Sequence, residues 1–158
     1  MPQPEVFRSS PLQVLPEWID YNGHMNMAYY SVLFDLGADQ AFAQLGLGPR
    51  YAEARKMTTY AADFRIRYLK ELHVGAHVQV GFQMLAADSK RFHFCQWLWH
   101  EDGWLSATGE GLTLHVDMGG PKVVPFPEDI ANNLRAMCTR HSALEVPAFV
   151  GSPLGIPS

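Results

Sequence analysis

The chain has 158 residues, 47% of them hydrophobic and 18% charged, as expected of a single globular domain able to bury a core and not of a disordered polymer. Its net charge of -4, with no basic helix or basic run, excludes a general nucleic-acid binder. No stretch approaches the ~18 consecutive apolar residues of a membrane span.

The first residues, Met1 to Arg8, contain no apolar leader segment. Cys95 and Cys138 stand far apart without a C-x-x-C pairing, so the expectation is a cytoplasmic protein with reduced thiols. Phe7 to Leu15 contains Pro11 and precedes Pro16; it reads as an edge strand or extended arm. A helix is predicted from about Asn26 to Leu45, with Asn26 as N-cap and Gly46 as the stop. Its polar positions are few. Ser31, Asp35 and Asp39 recur at four-residue steps with Gln40 and Gln44 beside them, so the helix is expected to be covered on most sides.

Gly48 and Pro49 read as a loop, after which the period changes to two. Met57 to Leu69 sets Tyr60, Ala62, Phe64, Ile66 and Tyr68 against Thr59, Asp63, Arg65 and Arg67. Val78, Val80, Phe82 and Met84 repeat the alternation. Asp88-Ser89-Lys90 turns into a strand from Arg91 to His100, and Glu101-Asp102-Gly103 into one from Trp104 to Val116. Four successive strands predict an antiparallel meander. Pro127 opens a helix to about Thr139, and the Pro- and Gly-rich residues from 142 on read as a tail. The whole is a single α+β domain with its core at about 6–116, an antiparallel sheet wrapped around one long helix. The strand from Arg91 to His100 is bulky on both faces, with Phe92, Phe94 and Leu98 against His93, Trp97 and Trp99. Its second face is expected to meet another subunit.

The chemistry concentrates at Trp18 to Tyr30, W-I-D-Y-N-G-H-M-N-M-A-Y-Y. Asp20 and a turn at Gly23 stand immediately before the long helix, whose first N–H groups lack helical partners and carry the positive end of its dipole. That arrangement suits a carboxylate that attacks a carbonyl, or directs water onto it, while the helix N-terminus holds the oxygen. The plainer reading of Asp20 is a side chain that caps its own turn.

This segment closely resembles the signature of the hotdog-fold acyl-CoA thioesterases, the 4-hydroxybenzoyl-CoA thioesterase-like group; D-Y-N-G-H-M is also similar to the betainyl-CoA thioesterase modules. The resemblance implies a hotdog fold in β-α-β-β-β-β order over roughly 6–116. It also implies a homodimer or homotetramer with shared sites, an acyl-CoA substrate, and neither metal nor redox cofactor. It makes Asp20 the catalytic acid and puts the oxyanion-binding N–H seven residues later, at Met27, with the N–H groups of His24 and Asn26 as alternatives. Gly23 shapes the turn beside the substrate. His24 either orients the thioester or water, or bonds backbone within the turn; Asn26 either caps the helix or touches substrate. The G-H-M-N form departs from the tryptophan- or tyrosine-bearing form of the benzoyl-type members, which leaves the acyl class open.

Thr58, Thr59 and Tyr60 begin the strand that in relatives reaches the partner's site, although Thr and Tyr favour strands in any case. Arg65, Arg67, Lys70, Lys90 and Arg91 are the clustered cations; they suit CoA phosphates or simply a solvated sheet edge. Asp35 is a second candidate acid, since another branch of the fold carries its acid on the helix, and Asp63 is expected to pair with an arginine. A quaternary ammonium would call for an aromatic box from Trp18, Tyr21, Tyr29, Tyr30 and Trp97. His73 and His77 flank Gly75 without helical spacing, which argues against zinc. The expected function is acyl-CoA thioester hydrolysis. Two alternatives are a hotdog enoyl-CoA hydratase, whose acid and histidine stand about five apart where Asp20 and His24 stand four apart, and a non-catalytic acyl-CoA binder.

Overall fold

The computed structural model describes residues 5–157. Its elements run β1 (Phe7–Arg8), β2 (Leu12–Gln13), α1 (Ala28–Gln44), α2 (Pro49–Arg55), β3 (Met57–Tyr68), β4 (His77–Ala87), β5 (Arg91–His100), β6 (Leu105–Asp117), β7 (Lys122–Val123) and α3 (Glu128–His141). One antiparallel sheet has the order β1-β4-β5-β6-β3, with β2 also on β4 and β7 on β6. The meander is therefore limited to β4, β5 and β6. β3 lies on the far side of β6, because the N-terminal arm occupies the other edge of β4: Phe7 pairs with Phe82 and Leu12 with Val78.

α1 packs across one face of this sheet and buries Tyr30, Leu33, Phe34, Gly37, Ala38 and Ala41, the 3–4 spacing of one helical face. At Gly37 the backbone rests on β4, since a Cβ there would lie 2.4 Å from Val80 Cβ. The helix ends at Gly46, whose φ of +85° lies in the left-handed region that stops helices. α1 is covered on fewer sides than its composition predicts: Val32 and Leu36 remain 39% exposed.

Three further expectations are corrected. The segment after Gly48 forms a helix, α2, started by Pro49 in its first turn and anchored by buried Tyr51, whose hydroxyl is 2.7 Å from His115 Nε2. Seven residues are too few for a periodic signal. In β3 a bulge between Ala61 and Asp63 reverses the side-chain alternation. Thr59, opposite His115, therefore shares the face of Phe64, opposite Gly111, while Tyr60 falls on the other face. Finally, residues from the chain's own two ends pack on the second face of β5, where His93, Trp97 and Trp99 stay half-buried. Trp97 and Trp99 stack at 5.7 Å, Phe149 packs edge-on to Trp97, and Arg8 lies 4.0 Å over Trp99. The residues after 142 are thus a strap and not a loose tail: Gly151 N–H donates to Glu110 Oε1 at 2.8 Å, and Arg67 donates to the Ser152 and Pro153 carbonyls.

Ala41, Leu45, Phe82, Met84, Ile130 and Leu134 belong to the core at the C-terminal end of α1, and Met25, Leu33, Val80 and Leu98 to that at its N-terminal end. Among the described residues no helix is long and apolar enough to cross a membrane.

Candidate active site

Ile19 and Met25 form an isolated antiparallel bridge, so residues 20–24 are the tip of a small hairpin. Its stem is fixed from below. Met25 is 1% exposed and its N–H donates to the Leu72 carbonyl at 2.8 Å, while Asn26 N–H donates to the Trp18 carbonyl at 2.9 Å. The tip closes when Gly23 N–H donates to the Asp20 carbonyl at 3.0 Å, with Gly23 at a φ of +82° that other residues adopt at a cost. Asp20 Oδ1 accepts from Asn22 N–H at 2.8 Å, and Oδ2 accepts from Asn26 Nδ2 at 3.0 Å. The other end of the Asn26 amide, Oδ1, accepts the Ala28 N–H at 2.9 Å. One asparagine thus ties the carboxylate to the first turn of α1. Asp20 does cap its turn, and because each oxygen has accepted one bond, each keeps a lone pair for chemistry.

The donors at the start of α1 can be followed one by one. Ala28 N–H goes to Asn26 Oδ1, Tyr29 N–H to the Asn26 carbonyl at 3.0 Å and Tyr30 N–H to the Met27 carbonyl at 3.3 Å. Asn26 N–H is engaged by Trp18, which removes it from the candidate oxyanion donors. Met27 N–H has no acceptor among the described residues, and Met27 is 64% exposed at the positive end of the dipole. His24 N–H likewise has none, whereas the His24 ring turns to Glu71, with Nε2 3.3 Å from Oε2, and stands edge-on to His73. Its Nδ1 is buried without a partner.

A crevice of about 790 Å³ runs between α1, α2 and β3, lined by Ser31, Asp35, Asp39, Thr58, Thr59 and Thr113 among others. Burial, then the neighbouring Asp35, raises the Asp39 carboxyl above its ordinary range. Thr58, Thr59 and Asp35 thus border one space, which Asp20 and Tyr60 do not line.

The expected phosphate-binding cations are mostly engaged elsewhere. Arg65 pairs with Glu110 at 3.3 Å and not with Asp63, because Glu110 stands opposite it on β6. Burial alone would raise Glu110; the N–H of Gly151, His93 and Arg65 outweigh it and hold the carboxyl below its usual range. Arg91 pairs with Asp88 at 2.7 Å, and Lys70 lies 4.3 Å over Trp104. Arg67 serves the C-terminal strap; Lys90 sits exposed on the β4–β5 turn, in no ion pair among the described residues. Arg65 and Arg91 do border one groove of about 610 Å³, together with His93.

The five aromatics of the expected box do not converge. Trp18 and Tyr29 stack on each other at 5.4 Å, Tyr30 is buried against Tyr68, and Tyr21 is 96% exposed. Trp97 stands on the opposite face of the sheet, under Phe149. Among the described residues no three potential metal ligands cluster. Sequence reasoning missed Gln96 in the crevice, a polar residue at an inward position between Phe94 and Leu98, which is itself a readable signal.

Residues 14–134 match the family model of the thioesterase-like superfamily, a span that includes the Asp20 loop, α1 and the whole main sheet. The chain belongs to the thioesterase-like superfamily. It is a thioester hydrolase. The betainyl-CoA thioesterase of Pseudomonas aeruginosa PAO1 is 34% identical to it over 154 residues, 97% of each chain. The L-carnitine dehydrogenase/betainyl-CoA thioesterase of Rhizobium meliloti is 32% identical over 161 residues, 98% of this thioesterase-like chain and 32% of that one. A Staphylococcus aureus protein solved in complex with CoA superposes with a TM-score of 0.90 over 99% of each chain at 25% identity.

Proposed function

We propose that this thioester hydrolase acts on acyl-CoA, with Asp20 as the catalytic acid and the Met27 N–H as the oxyanion donor. The observation that carries the reading is Asn26: a single amide positions the Asp20 carboxylate at one end and the first turn of α1 at the other. In the reaction either Asp20 attacks the carbonyl carbon, expelling CoA thiolate and leaving a mixed anhydride for water to open, or it takes a proton from water that attacks. Both routes put negative charge on the carbonyl oxygen, where the unpaired N–H at the helix start stabilises it. Neither route calls for a metal or redox cofactor.

Gly23 keeps the loop backbone open to substrate, and His24 contributes the second unpaired N–H of this loop. The homo-oligomer reading is supported by β3, the terminal strand of the sheet, where Phe64 and Tyr68 are 36% and 45% exposed on the same face as α1, whose Val32 and Leu36 are also exposed. A second copy on that edge would enclose the crevice and bring Thr58 and Thr59 into a shared site. Lys90, Arg91, Arg65 and Arg67 are the proposed contacts for the CoA phosphates. Cytoplasmic location is supported by two free cysteines, of which Cys95 is buried and pushed up to about 12 by burial and by Glu110.

Thiol release from a panel of betainyl, short-chain, aromatic and long-chain CoA thioesters tests the reading. Release from at least one of them is expected. Loss of an enoyl-CoA double bond with no thiol release would replace hydrolysis with hydration, and saturable binding without turnover would make the protein a binder.

A further inference from the structure

The hairpin that carries Asp20 is fixed at its base, but its tip stands out from the fold, with Tyr21 96% exposed. Asp20 N–H donates to the His24 carbonyl at 3.2 Å, so the two residues face each other across the hairpin. Whatever fixes His24 therefore helps to fix the acid. His24 Nδ1 is buried, which leaves Nε2 as the nitrogen able to take a partner, and Nε2 lies 3.3 Å from Glu71 Oε2. The other oxygen of that carboxylate lies 3.6 Å from His73 Nε2, and the His73 ring stands edge-on to His24. Glu71 thus bridges two imidazoles.

The segment that presents Glu71 is firmly held. Leu69 and Lys70 N–H donate to the Ser106 carbonyl at 2.9 and 3.0 Å, Ser106 Oγ donates to the Lys70 carbonyl at 2.7 Å, and Leu72 is 1% exposed. The Leu72 carbonyl accepts Met25 N–H. Two consecutive residues, Glu71 and Leu72, therefore hold two consecutive residues of the hairpin, His24 through its side chain and Met25 through backbone. An ion pair this open to solvent, with side chains 33% and 54% exposed, adds little to stability. Displacing a reacting group by 1 Å, in contrast, can cost about 10²-fold in rate. The contact is thus expected to act on rate and not on melting.

We propose that Glu71 is a positioning residue of this hydrolase: its carboxylate holds the His24 ring and, through the His24 carbonyl, the loop that presents Asp20. The assignment rests on Asp20 being the acid, as read above. With Nε2–H donating to Glu71, the neutral His24 ring carries its proton on Nε2 and a lone pair on the buried Nδ1.

The test is a double-mutant cycle on thiol release, with Glu71→Ala, His24→Ala and both together, and Glu71→Gln beside them. Glu71→Ala should lower kcat by about tenfold or more, with KM within about twofold and an unchanged melting temperature. In the His24→Ala background the same substitution should change kcat by less than about twofold. Glu71→Gln keeps an acceptor oxygen for Nε2–H and should recover most of the loss. A kcat for Glu71→Ala within about twofold of wild type overturns the proposal. A loss of full size in the His24→Ala background, or one accompanied by a lowered melting temperature, overturns it too. A second readout needs no turnover. Long-range proton–nitrogen spectra of the histidine rings at about pH 8, where a histidine is ordinarily neutral, should show His24 as the Nε2–H form in wild type and as mixed tautomers in Glu71→Ala. Identical His24 spectra in the two proteins overturn the proposal. Full-rate release by Asp20→Asn, with that spectral change present, would instead remove the Asp20 reading beneath it while the hold of Glu71 on His24 stands.

Discussion

Asn26 carries two duties that usually fall to separate residues, and it can be tested for both at once. Asn26→Ala removes the Asp20 tether and the acceptor for Ala28 N–H, so stability should fall by about 1 kcal/mol, as for a lost helix cap, and kcat should fall with it. A urea titration beside steady-state kinetics reads both. Met27 offers a cleaner separation. Its φ of -53° is compatible with proline and its N–H makes no bond among the described residues, so Met27→Pro deletes the proposed donor at little structural cost. The expected result is a loss of about 10²–10³ in kcat with an unchanged melting temperature; an unchanged kcat would shift the oxyanion role to His24 N–H. The juxtaposition of Asp20, Gly23 and Asn26 was legible because these residues bond to one another within one short segment. Gln96 and Asp39 were not placed together, because a strand and a helix meet there only after the sheet has closed.

The elements were legible where local signals decide them: a period of two for the four long strands, an apolar run stopped at Gly46 for α1, and Pro127 for α3. Strand order and facing required more. β3 was misplaced because the short N-terminal arm, too brief to weigh against a twelve-residue strand, takes the edge of β4. Its facing inverted because a single extra residue at the bulge reverses everything on one side of it. Contact between α1 and β4 is set by Gly37, and Gly37→Ala should destabilise the fold by about 1–3 kcal/mol despite the better helix propensity of alanine. Equilibrium denaturation checks the sign. A stabilised variant would mean that α1 lifts off Val80 without penalty.

At the scale of the whole molecule, α3 is joined to the sheet by a titratable group. Buried His141 accepts Met84 N–H at its Nδ1, 2.8 Å away; burial and then Arg140 lower its pKa below 6.5. A histidine kept neutral in the fold contributes stability that is intact above its unfolded value of about 6.5 and is lost as pH falls below it toward the lowered folded value. The melting temperature should therefore drop between about pH 7 and pH 5. In His141→Asn, which retains an acceptor but does not titrate, that slope should flatten; an unchanged slope would assign the loss to other groups. The strap from residue 142 onward is the least legible part of the chain. Its proline and glycine content reads as a tail, yet Phe149, Gly151 and two carbonyls engage Trp97, Glu110 and Arg67 across the sheet.

The central claim is that Asp20 is the acid of a thioester hydrolase, and thiol release by Asp20→Asn against wild type, on the best substrate of the panel, tests it most directly. Asparagine keeps the shape and an oxygen acceptor for Asn22 N–H but turns its NH2 toward Asn26 Nδ2, so the variant should lose about 1 kcal/mol of stability and stay folded while its rate falls by about 10²–10⁴. A folded variant that releases thiol at the wild-type rate would contradict the assignment and move the search for the acid to Asp35.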